Sequence, residues 1–162
     1  NIETLSTKEL KEVHKSLFPE GYPIAGKLRT VPVSISAGAT VEKSFEGPEI
    51  SNPDEILVQL EKLLNEWNKN INSLKTSDKQ DKIKAVAKFQ HDFSLIHPFL
   101  DGNGRLSRLL LMYQLNYLFN LSLEIEDIDQ TSEYLDAYNA ADKGDLSKLI
   151  NYIENIIDLR KK

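Results

Sequence analysis

The chain contains no cysteine, which excludes disulfides and thiolate metal sites. It also lacks any apolar run near the ~18 residues that a membrane-spanning helix requires, and no signal-peptide pattern opens it. We therefore expect no membrane contact and a cytoplasmic location. Positive charge is not in excess: Lys and Arg number 20 against 25 Asp and Glu, for a net charge of −5. That balance argues against a general nucleic-acid binder, whose phosphate contacts call for clustered bases. Lysines between Lys75 and Lys88 alternate with Asp78 and Asp81, as on a solvated helix face. Internal repeats, low-complexity tracts and long linkers are absent too. With 162 residues, 40% of them hydrophobic, the chain is expected to form one domain, 1–162. Asn1 is not a methionine, so a processed, shortened or internal start is expected.

Apolar spacing predicts a mainly helical protein. Leu10, Val13 and Leu17 give an amphipathic first helix over Ser6–Phe18, ended by Pro19-Glu20-Gly21. Asn52-Pro53-Asp54 should cap a second, with Ile56, Leu57, Leu60, Leu63, Leu64 and Trp67 on its apolar face. Further helices are predicted over Asp78–Ile96, Asn103–Asn120, Thr131–Asp142 and Leu146–Leu159. Between Thr30 and Glu46 the period changes to two, with Val31, Val33 and Ile35 alternating with Pro32 and Ser34. Ala37-Gly38 supplies a turn, so one small β-hairpin is expected over about 30–46, and Pro32 suits an edge strand.

The chemistry concentrates in twelve residues, His97-Pro98-Phe99-Leu100-Asp101-Gly102-Asn103-Gly104-Arg105-Leu106-Ser107-Arg108. Pro98 disfavours helix beyond His97, which places the histidine at the end of the helix marked by Ile83, Val86, Phe89, Phe93 and Ile96. Asp101 to Gly104 reads as a tight turn leading into a helix N-terminus, a ready anion site. Arg105 and Arg108 are three apart on that helix and can grip phosphate oxygens in bidentate fashion. A carboxylate within a phosphate cradle, Asp101, makes sense as a ligand of Mg²⁺, which takes one or two carboxylates plus phosphate and water. His97 remains as a general base. Blander roles exist for each residue alone: a helix cap for His97, an N-cap for Asp101, solvated charges for the arginines. A turn needs neither the preceding His-Pro-Phe nor the paired arginines. Phe99 and Leu100 are assigned to the core, and His14 and His91, which lack a neighbouring constellation, to structural roles.

These twelve residues resemble the full signature of the Fic family, His-Pro-Phe-x-Asp/Glu-Gly-Asn-Gly-Arg-x-x-Arg, without departure. Leu17-Phe18, Ala25-Gly26-Lys27-Leu28-Arg29 and Ala141-Asp142-Lys143-Gly144-Asp145 extend the likeness over most of the chain. The resemblance implies a helical Fic fold and transfer of AMP from ATP to a Ser, Thr or Tyr hydroxyl of a target protein. It further implies that His97 deprotonates the hydroxyl, Asp101 holds Mg²⁺, Gly102, Asn103 and Gly104 line an anion hole, and Arg105 and Arg108 hold the β- and γ-phosphates. Ile35, Ser36 and Ala37 would lie near the tip of a flap over the nucleotide, and Tyr134 and Asp142 match positions that contact adenosine. Doc toxins, which phosphorylate instead, carry Lys where Gly104 stands. The alternatives are a Fic/Doc-type toxin component or a nucleotide-binding pseudo-enzyme controlled by a partner. Many family members are silenced by a helix of pattern Ser/Thr-x-x-x-Glu-Gly/Asn whose Glu meets the second arginine. The one formal match, Ser16 to Gly21, contains Pro19, which would break such a helix. Inhibition is therefore expected from an antitoxin-like protein or an upstream helix.

Overall fold

The structure is a computed structural model and describes residues 4–33, 50–128 and 132–161. Six α-helices make up the described chain: α1 (Thr7–Ser16), α2 (Ile56–Lys75), α3 (Lys79–Ile96), α4 (Asn103–Phe119), α5 (Ser132–Asp142) and α6 (Ser147–Arg160), with a 3₁₀ turn at Ile125–Asp127. No sheet occurs among the described residues, where the one isolated β-bridge joins Leu28 to Phe99. The predicted hairpin falls almost entirely on residues outside those described, as do Ile35, Ser36 and Ala37.

Local chemistry starts most helices where the sequence indicates. Ser6 and Glu9 form a reciprocal capping box on α1, and Asp78 accepts the Asp81 N–H at 2.8 Å to cap α3. Asn120, left-handed at φ 56°, ends α4. The expected cap of α2 needs correction: Asn52-Pro53-Asp54 forms a turn closed by Glu55 N–H on the Asn52 carbonyl, and the helix begins at Ile56 without a side-chain cap. Leu57 also leaves the predicted apolar face, being 45% exposed.

Helix α3 lies at the centre, packed against α2, α4, α5 and α6. Its Ile83, Val86, Ala87, Phe89 and Phe93 are buried, Phe89 edge-on to Trp67 of α2 at 5.3 Å. Leu106 and Leu115 of α4 and Leu149, Ile153 and Ile157 of α6 close the core. Burying side chains of this size contributes roughly 1.5–3 kcal/mol each before chain entropy opposes it. This packing fixes the end of α3 and the start of α4, between and along which the motif runs. No helix among the described residues is long and apolar enough to cross a membrane.

Candidate active site

His97 caps α3 in a left-handed conformation, φ 46° and ψ 62°, while its N–H still reaches the Phe93 carbonyl at 3.1 Å. Pro98 disfavours helical geometry at His97, and the chain turns out of the helix there. Burial, and secondarily the nearby Arg29 charge, holds the His97 imidazole below its ordinary pKa near 6.5. The ring is thus neutral, able to accept a proton, at neutral pH.

Gly102 is also left-handed, φ 83°, and begins α4 without a side-chain cap. The first-turn amides of Asn103, Gly104 and Arg105 therefore have no capping side chain, and this end of the helix favours an anion. The bland reading of Asp101 as N-cap is overturned: one carboxylate oxygen takes the adjacent Gly102 N–H at 2.7 Å, and the other lies 3.7 Å from Arg105. His97, Leu100 to Arg105, and Arg108 line one open pocket of about 270 Å³. Arg108 reaches it with its Nη1 atom buried and without a hydrogen-bond partner. Arg105 is exposed and lies over the Phe18 ring at 4.7 Å. A larger cleft of about 520 Å³ runs beside α2 and α3, but its Lys88 and Asp92 neutralise one another at 2.7 Å and no base faces an anion site there.

One assignment, that of Leu100 to the core, changes. Leu100 is 46% exposed at the pocket wall, whereas Phe99 is fully buried. The Asn103 side chain turns inward, accepting the Phe99 N–H at 2.9 Å and donating to the Phe99 carbonyl at 2.7 Å. What Asn103 can offer an anion is its backbone amide. Tyr134 is buried against Tyr138 and Tyr152, with ring centroids 4.8 and 5.5 Å away, and Asp142 meets His91 at 2.9 Å. Neither Tyr134 nor Asp142 lines the motif pocket.

Sequence spacing undervalued His14. Fully buried on α1, it accepts the Gly26 N–H at Nδ1 (2.9 Å), so Nε2 carries the proton and donates to the Asp101 carbonyl at 2.8 Å. Its ring stacks on Phe99 at 3.7 Å and 8°. The available signal was its place on the stripe of Leu10, Val13 and Leu17, where a polar ring must find partners.

The model of the Fic/DOC family matches residues 4–115 of the chain. The chain belongs to this family. Its similarity to proteins named protein adenylyltransferase fic-1 reaches 29% identity over 153 residues in Caenorhabditis briggsae, covering 92% of this chain and 26% of that protein. The Caenorhabditis elegans protein of the same name is 27% identical, with the same coverage. This chain spans about a quarter of the length of both. Among solved structures, Bartonella-type effector folds appear beside nematode ones. The type IV secretion system effector BepA superposes with a TM-score of 0.75 at 23% identity, over 95% of this chain and 53% of that one. Residues 134–508 of C. elegans Fic-1 give 0.66 at 24% identity, over 97% and 42%. These likenesses show that the chain has the Fic fold.

Proposed function

We propose that the chain is the core of a protein adenylyltransferase, moving AMP from ATP to a Ser, Thr or Tyr hydroxyl of a target protein. The observation that carries the reading is the pairing, in one pocket, of a neutral His97 with an uncapped helix N-terminus and Arg108, whose buried Nη1 has no hydrogen-bond partner. The first-turn amides, Arg105 and Arg108 hold the β- and γ-phosphates. His97 takes the hydroxyl proton as the target oxygen bonds to the α-phosphorus. The bond from that phosphorus to the β-bridging oxygen breaks, and pyrophosphate leaves with the electron pair.

Magnesium suits this arrangement. No group of three or more His, Cys, Asp or Glu residues able to hold a metal occurs among the described residues, so a cage made of protein alone is not offered there. The lone Asp101 carboxylate, 66% exposed at the pocket, fits an ion that draws its other ligands from phosphate and water. Bound there, Mg²⁺ would neutralise phosphate charge. A carboxylate would satisfy Arg108 as well as phosphate does, which supports control by an antitoxin-like protein or an upstream glutamate. The rejected internal match follows the end of α1 at Ser16, and its Glu20 is exposed.

The test is incubation with ATP labelled at the α- or γ-phosphate and a lysate. A band labelled only from the α-position is expected, and His97→Ala should reduce it by roughly 10²–10⁴-fold while ATP·Mg²⁺ still binds. Label from the γ-position would show phosphorylation, and ATP binding without any band would show a pseudo-enzyme. Glu20→Gly should leave the band unchanged.

A further inference from the structure

We propose that Arg29 is the positioning residue of the base, holding His97 in its left-handed turn and fastening to it both flanks of residues 34–49. The proposal rests on reading His97 as the base. Arg29 is 4% exposed, yet its guanidinium meets no carboxylate among the described residues. It is spent on backbone carbonyls instead: Nε donates to His97 at 2.6 Å, Nη1 to Val31 at 3.0 Å, and Nη2 to Ile96 at 3.2 Å and to Ser51.

The backbone repeats the attachment. The Arg29 N–H binds the Pro98 carbonyl at 2.9 Å, Leu28 bridges to Phe99, and the Ser51 N–H binds the Leu95 carbonyl at 3.0 Å. Residues 95–99 thus receive the chain before residue 34 and the chain after residue 49. His97 is one of two non-glycine residues with positive φ among those described, a conformation that surrounding contacts must enforce. Arg29 supplies such a contact at the carbonyl of the strained residue itself. Its charge also disfavours protonation of the His97 ring, secondarily to burial, while Asp101, Arg105 and Arg108 line the same pocket as His97.

The experiment compares Arg29→Gln and Arg29→Lys with the parent by NMR titration of the histidine rings, ATP·Mg²⁺ binding and steady-state transfer. Only three histidines are present, so His97 can be followed individually. In Arg29→Gln the charge is gone: the His97 midpoint should rise, the acid limb of the rate should rise with it, and kcat should fall roughly 10- to 100-fold, with the KM for ATP within about twofold. Arg29→Lys keeps the charge but not the fork, so kcat should fall while the midpoint stays. An unchanged midpoint in Arg29→Gln, or losses of kcat and ATP affinity in equal measure in both variants, would overturn the proposal. Should the Gln variant fail to fold, the Lys variant decides: kcat within twofold of the parent overturns the clamp. A parent without transfer would sink the adenylyltransferase reading alone, because the NMR midpoint still reports on Arg29.

Discussion

His97 and Gly102 take left-handed conformations only five positions apart, and the pocket exists because the chain reverses between them. The two positions carry different constraints. Gly102 is needed for space as well as for φ, since an added Cβ would stand 2.9 Å from Cζ of Phe18 and 3.2 Å from Nε2 of His14. Gly102→Ala should therefore cost about 1–3 kcal/mol, from left-handed strain and the displaced Phe18 ring, and should weaken ATP more than AMP. Urea unfolding with parallel nucleotide titrations checks this; unchanged stability would mean the loop adapts freely. At this scale the motif's composition was legible because a histidine, a glycine-rich turn and two guanidiniums fall within twelve residues, the set expected of an anion cradle beside a base. The directions of individual side chains were not. Leu100 points outward although apolar, and Asn103 points inward although polar, because the preceding bridge to Leu28 and the Phe99 backbone decide them.

Helices were legible wherever apolar spacing and capping agree, as at Ser6 and Asp78, and misread where a turn imitates a cap, as at Asn52-Pro53-Asp54. Spacing marks a residue as inward-facing but does not name its partner on another element, and α1 is the clearest instance. Through His14 it holds the carbonyl of Asp101, so a helix remote in sequence sets the position of the carboxylate expected to bind Mg²⁺. His14→Phe keeps an aromatic ring against Phe99 but removes both hydrogen bonds, leaving the Gly26 N–H and the Asp101 carbonyl without that partner. A loss of about 1–3 kcal/mol follows. ATP·Mg²⁺ affinity should fall further than in Ile153→Val, which trims the core far along the chain and costs about 0.5–1.5 kcal/mol. Equal affinities in the two variants would return His14 to a purely structural role.

For the molecule as a whole, the same burial that keeps the His97 ring neutral makes the fold sensitive to mild acid. His14 and His97 both have their pKa lowered, in each case chiefly by burial; Arg105 adds to this at His14 and Arg29 at His97. In the unfolded chain both rings take up a proton near their ordinary pKa of about 6.5, whereas the folded protein resists until the pH is lower. Below that pH the unfolded state binds more protons than the folded one, so stability decreases as the pH falls through and below about 6.5 and is fully present above it. Asp127, beside Arg160, and Asp145, beside Ser147, are held below their usual range and lose their partners only at lower pH. The Tm should therefore be flat from pH 7 to 8 and decline between pH 6.5 and 5. His14→Phe, although less stable at pH 7, should decline less steeply, having one titrating ring fewer. A Tm profile with the same slope in the parent and in this variant would show that the acid sensitivity arises elsewhere than at His14.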